Sequence, residues 1–165
     1  WRSNCYSFKW YPGLYICLDK FISSFTFVVL GKPAPQGSKR HVGKGILLES
    51  SKRCKPWRQD VKYAALEALP DGWYAMMDKP ILVSVTFIFA RPKGHFRTNG
   101  ELKPKAPSHC TARIGDVDKL SRAILDGLTE ICFQDDAAVI ALNAQKRYAT
   151  RNEQPSAIIT IAAIS

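Results

Sequence analysis

The sequence predicts an α+β fold: a single small domain with a mixed β-sheet and two main helices packed on it. Three observations lead there. The chain has 165 residues, 46% of them hydrophobic, which is enough for one ordinary core. Residues 24–30 and 81–89 are dense in β-branched and aromatic side chains, the signature of strands. Residues 56–69 and 117–131 instead repeat their apolar positions at helical spacing.

The elements follow in order. Residues 1–22 are aromatic, contain Cys5 and Cys17 and do not begin with Met; they read as an N-terminal extension preceding a domain over 23–165. Trp10-Tyr11-Pro12-Gly13 interrupts the apolar centre that a signal peptide requires. Strand one, Ser24 to Leu30, exits at Gly31-Lys32-Pro33-Ala34-Pro35-Gln36-Gly37, which neither a strand nor a helix can cross. Pro56 suits the first turn of helix one, whose stripe of Trp57, Val61, Ala64, Ala65 and Ala68 stops at Pro70-Asp71-Gly72. Strand two, Ile81 to Phe89, runs into a polar segment, 91–115, longer than unstructured loops usually are, so that segment is expected to be functional or disordered. Helix two and strands near 138–148 and 156–164 complete a β-α-β-α-β-β order.

Charge is segregated along this chain. Its formal net charge is +10, yet six of its fourteen acids, Asp116, Asp118, Asp126, Glu130, Asp135 and Asp136, lie within twenty-one positions. The stretches 31–58 and 91–113 carry fourteen of the twenty-four basic residues and only two acids, Glu49 and Glu101. Such basic runs are the footprint of a polyanion partner. Lys39, Arg40, Lys44, Lys52, Arg53 and Lys55 from the first run, and Arg91, Lys93, Arg97 and Arg113 from the second, are the expected contacts to a DNA backbone, joined by Lys119 and Lys146. A solvated basic face is the plainer reading of the same charge.

The acids point to a different chemistry. Mg²⁺ takes one or two carboxylates and fills its remaining sites with water and phosphate oxygens. On helix two, Leu120, Ile124, Leu128 and Ile131 fall on one side, and Asp118, Arg122 and Asp126 along the other. A structural account exists for part of this pattern: Asp116 or Asp118 caps the helix, and Asp118 pairs with Arg122 four residues on. For Asp135-Asp136, which follow Phe133 at the turn into the next strand, turn propensity is the corresponding account. The conjunction favours a metal, because grouped carboxylates repel one another unless a cation lies between them.

Cysteine usage is uninformative for metal chemistry. Five cysteines form an odd count without a C-x-x-C pair, so reduced thiols in a cytoplasmic protein are expected rather than disulfides or structural zinc. Lys20 and Lys32 bracket the longest apolar run, which falls short of the roughly 20 residues of a membrane span, so no membrane partner is expected. The histidines, His41, His95 and His109, sit in basic loops, where phosphate contact or plain exposure is expected. Trp57 and Phe96 offer rings for stacking on bases, although Trp57 on an amphipathic helix fits a core.

These residues resemble the RusA family of Holliday-junction resolvases. The matching pattern is Asp116-Val117-Asp118-Lys119-Leu120, Arg122, Asp126-Gly127-Leu128, then Asp135-Asp136-Ala137-Ala138-Val139, with Lys146 in the following strand. Gly31 to Ser38 resembles that family's first-strand exit, and the likeness extends over roughly residues 25–163. The resemblance implies a homodimeric, Mg²⁺-dependent endonuclease, with Mn²⁺ as a second candidate ion, that resolves four-way DNA junctions in phage and prophage recombination and repair. It places the metal-binding and catalytic aspartates at Asp116, Asp118 and Asp136, with Asp135 beside them. The family's active-site lysine falls on Arg122, which keeps the charge but cannot readily release a proton. Lys119 stands where several relatives have Asn.

Two alternatives compete. A non-catalytic nucleic-acid-binding protein that retains the fold would share the basic runs, but uncompensated carboxylates repel DNA. A nuclease of the Pro-Asp…Glu-x-Lys type would use Pro70-Asp71 and Glu101-Leu102-Lys103, yet both pieces sit in turn or loop sequence.

Overall fold

The computed structural model describes residues 22–37, 39–41, 47–49, 51–107, 109–111 and 114–164. It shows an α+β domain with a four-stranded mixed sheet and two helices. Strand β1 spans Ile22–Leu30, β2 Lys39–His41, β3 Leu47–Glu49, α1 Cys54–Ala68, β4 Ile81–Phe89, α2 Val117–Leu128, β5 Val139–Tyr148 and β6 Ser156–Ile164. The main sheet runs in the order β1-β6-β4-β5. Strand β6 is antiparallel to both β1 and β4, whereas β4 and β5 are parallel, with Leu82 opposite Ala141 and Phe89 opposite Tyr148. A parallel pair requires a long crossover, and here residues 90–138, including α2, supply it.

Alternation decides which face is covered. Ile81, Val83, Val85 and Phe87 of β4, Ile159 and Ile161 of β6 and Phe27 and Val29 of β1 are all buried. Helix α1 sets Cys54, Trp57, Val61 and Ala65 into the same core, and α2 adds Leu120, Ala123, Ile124 and Leu128. The 3% exposure of Trp57 assigns that ring to the core and closes it to base stacking. On the opposite face Thr26 bonds Thr160 at 2.8 Å and Gln145 bonds Thr86 at 3.0 Å, a cross-strand polar ladder.

Three local features depart from expectation. The first basic stretch contains a short antiparallel pair, β2 with β3, in which Lys39 stands opposite Glu49. Helix α1 begins at Cys54, with Pro56 still inside its first turn. Helix α2 ends at Leu128, three residues before the expected end: Glu130 takes a positive φ of 67° and its N–H returns to the Phe133 carbonyl at 2.8 Å. Ile131 is buried through this turn and not through a last helical turn. Cys132 and Phe133 anchor the reversal, and the Trp73 indole N–H donates to the Cys132 carbonyl at 2.9 Å.

The long segment after β4 folds back on itself. A 3₁₀ turn at Lys93–His95 is followed by a bridge between Phe96 and Leu102, and Lys103 N–H donates to the His95 carbonyl at 2.9 Å. Residues 1–21, and with them most of the expected extension, lie outside the described residues.

Candidate active site

The approach to α2 is dictated by one glycine. Gly115 has φ of 140°, and a Cβ there would stand 2.9 Å from Cγ of Pro35. The chain therefore passes against the exit of β1 at a place where only glycine fits. One turn on, the Gln36 N–H donates to the Lys119 carbonyl at 3.0 Å, so the Pro/Gly segment after β1 backs the acidic helix.

Asp116 occupies the N-cap position of α2 but makes no side-chain cap bond. Its carboxylate instead meets Lys119 Nζ at 3.1 Å. Asp118, in the first turn, is exposed, and among the described residues it forms no ion pair with Arg122 or any other cation. The capping and i,i+4 pairing accounts thus leave Asp118 uncommitted. The positive end of the helix favours both acids where they stand.

Asp126 has a different part. Its carboxylate lies 2.6 Å from the Arg58 guanidinium of α1, beside Gly127, where a Cβ would meet Val61 at 3.0 Å. This acid ties the two helices together where Gly127 lets them pack closely.

Asp118 and Asp136 open onto one pocket between α2 and β5. It has a volume of about 530 Å³ and is shared with Arg122, Ser121 and an apolar wall of Val117, Leu125, Leu142 and Ala144. The wall exists because Leu142 and Ala144 pair with Val83 and Val85 and so face the helices. Asp135 shapes the turn that presents Asp136: its Oδ1 accepts from the Ala137 N–H at 2.8 Å, capping the 3₁₀ turn Asp136–Ala138. Of the four expected metal ligands, the structure brings Asp118 and Asp136 to a shared pocket, pairs Asp116 with Lys119 and engages Asp135 in a cap. Among the described residues no three His, Cys, Asp or Glu side chains converge as a preformed ion site.

The expected DNA contacts divide. Lys52, Arg53 and Lys55 are exposed at the start of α1, as are Lys93, Arg97, Lys119 and Arg122. Arg97 lies 3.6 Å from Glu101. Arg91 is engaged within the protein: it donates to the Pro107 carbonyl at 2.9 Å and lies 5.1 Å over the Tyr148 ring. Lys146, part-buried, donates to the Gly115 carbonyl at 2.9 Å. Lys39 and Arg40 form the backbone of β2, while Lys44 and Arg113 lie outside the described residues.

Sequence reasoning missed one strong pair. Arg147 grips Glu153 through two hydrogen bonds of 2.6 Å across the β5–β6 turn, and the Thr150 N–H adds a third at 3.0 Å. These bonds, with that of Arg147 first, hold the Glu153 carboxyl down at about 2. The available signal was an Arg and a Glu flanking Thr150-Arg151-Asn152. Burial pushes the Cys132 thiol up to about 12, which makes it inert as a nucleophile. Burial, followed by the neighbouring Cys110, likewise raises the Tyr148 phenol above its ordinary value.

Comparison with known families gives a match over residues 31–162, most of the chain, to the family described as endodeoxyribonuclease RusA. A comparison with curated proteins finds no match.

Proposed function

The chain belongs to the endodeoxyribonuclease RusA family, and from that premise we propose that it is a divalent-metal-dependent endonuclease that resolves four-way DNA junctions by paired symmetric nicks, acting as a homodimer through a domain over 23–165. The observation that carries this reading is the pocket between α2 and β5, where two carboxylates and a guanidinium meet on a protein of net charge +10.

The donor set fits the implied ion. Asp118 and Asp136 supply hard oxygens, and neither is neutralised by a cation among the described residues; Mg²⁺ needs no more than one or two such ligands beside water and phosphate oxygens. Mn²⁺ has the same ligand preference. Asp118 and Asp136 would hold the ion, with Asp116 adjoining once its exposed pairing with Lys119 gives way. When bound, the ion polarises a phosphoryl oxygen and offsets the charge that develops there.

The chain's own residues supply the rest. Arg122 presents a planar fork of donors to phosphate oxygens and stays charged throughout, so it binds and stabilises but moves no proton. Val117, Leu125 and Leu142 give the pocket an apolar side. Lys52, Arg53, Lys55, Lys93 and Arg97 hold the flanking backbone without reading bases. Two nicks placed symmetrically on a two-fold substrate call for two sites related by an isologous interface. The buried free thiols of Cys110 and Cys132 are in keeping with a reducing cytoplasm.

The test is incubation of purified protein with a synthetic four-way junction, a matched duplex and a single strand, each with Mg²⁺ and with EDTA. Symmetric nicks are expected on the junction alone and only with metal. Binding without any cleavage would instead identify a non-catalytic DNA-binding protein.

A further inference from the structure

We propose that Lys146 is a positioning residue that fixes where Asp116 and Asp118 stand, and not a contact to DNA; this rests on the endonuclease reading above. Lys146 lies opposite Phe87 in the β4–β5 register, on the same helix-facing row as the pocket residues Leu142 and Ala144. Its part-buried ammonium donates to the Gly115 carbonyl at 2.9 Å, whereas Lys119 and Arg122 remain exposed.

That carbonyl has no place in the helix. The α2 ladder begins one residue later, where the Asp116 carbonyl accepts from the Leu120 N–H at 3.0 Å. A carbonyl outside the ladder needs a partner from elsewhere, and Lys146 supplies it. At the same residue Pro35 leaves no room for a Cβ, and one turn further on the Gln36 N–H holds the Lys119 carbonyl. The segment that carries Asp116 and Asp118 is thus gripped between the exit of β1 and the C-terminal part of β5.

Strand β5 serves both halves of the acidic site. It starts just after the turn bearing Asp136 and, seven residues into the strand, delivers Lys146 to the segment bearing the other two acids. Lys146 therefore sets the acids of the helix against the acid of the strand. Partners bonded directly to metal-ligating side chains typically carry about 10–100-fold of metal affinity or activity, and Lys146, acting through the carbonyl one residue before Asp116, is expected at the lower end of that range.

The test compares Lys146→Met, which keeps the apolar stem and removes the donor, and Lys146→Arg, which keeps a donor, with the parent. Mn²⁺ binding is read by electron paramagnetic resonance, junction cleavage by its metal dependence, and junction binding in Ca²⁺ by its salt dependence. For Lys146→Met we expect Mn²⁺ to bind roughly tenfold or more weakly, cleavage to recover as metal is raised, and the salt slope to stay at the parent value. Lys146→Arg should restore much of the Mn²⁺ affinity. Unchanged Mn²⁺ binding together with a salt slope lowered by about one unit identifies a phosphate contact and overturns the proposal. Parent-like behaviour in all three measurements overturns it as well. Should Lys146→Met lose its helical circular dichroism, Lys146→Leu, which also lacks a donor, is judged by the same criteria. A parent protein that neither binds Mn²⁺ nor cuts the junction defeats the endonuclease reading itself, and this proposal with it.

Discussion

Arg58 of α1 and Asp126 of α2 meet at 2.6 Å beside the close contact of Gly127 with Val61. Asp126 is thereby separated in role from Asp118 and Asp136, although all three belong to one acidic block. Asp126→Ala should destabilise the fold by about 1–3 kcal/mol, the cost of stripping a partner from a partly buried charge, with Mn²⁺ affinity unchanged. Gly127→Ala sets a gain of about 1 kcal/mol in helix propensity against a Val61 contact of 3.0 Å that must give by a few tenths of an ångström, so its net effect on stability should be smaller than that of Asp126→Ala. Urea denaturation and Mn²⁺ titration check both. Lost metal binding in a folded Asp126→Ala protein would return that acid to the metal site.

Arg122 is the second target. Exposed on the pocket wall and without an ion-pair partner among the described residues, it is expected to serve the scissile phosphate. Arg122→Ala should slow junction cleavage by roughly 10²–10³-fold, as does loss of a donor aimed at developing charge, with circular dichroism unchanged. Arg122→Lys should retain much of the rate. Normal cleavage by Arg122→Ala would shift the catalytic cation to Lys119.

Acid stability should report the Arg147–Glu153 clamp. The Glu153 carboxyl is held at about 2, below its ordinary 4.5, so the folded state binds its proton later than the unfolded chain does. Its contribution to stability is full above about 4.5 and is lost as pH falls from there towards about 2. Glu153→Gln should cost about 1–2 kcal/mol at pH 7, in the lower range for charged hydrogen bonds because the pair is partly solvated. The variant should also show a flatter decline over that window; thermal melts at pH 3, 5 and 7 provide the comparison.

Assembly gives a fourth prediction. Light scattering at micromolar concentration should return a mass near twice the 18.5 kDa chain. A monomer that nonetheless makes paired symmetric nicks would contradict the two-site account.

Much of the fold was legible because period and punctuation agree. The alternation of β4 and the Pro/Gly exit of β1 set those elements in sequence, and the apolar stripe of α2 identified its buried face. Asp118, Arg122 and Asp136 could be read as neighbours because helical spacing and a short turn bring two of them onto one face and the third beside it. Other features depended on tertiary partners far away in sequence. Arg91 and Lys146 appear in the sequence as free cations, and only the fold reveals the carbonyls of Pro107 and Gly115 that hold them. The early end of α2 follows from burying Cys132 and Phe133 in a turn, which no apolar period announces.

The measurement that tests the central claim most directly is the single-turnover rate of junction cleavage in Mg²⁺ by the parent and by Asp116→Asn, Asp118→Asn and Asp136→Asn, with binding followed by gel shift in Ca²⁺. If these acids do the chemistry, each variant should cut at least about a hundredfold more slowly. Junction binding should hold or tighten, because a negative charge facing DNA has been removed. Cleavage at the parent rate by Asp118→Asn or Asp136→Asn would place the active site outside the α2–β5 pocket.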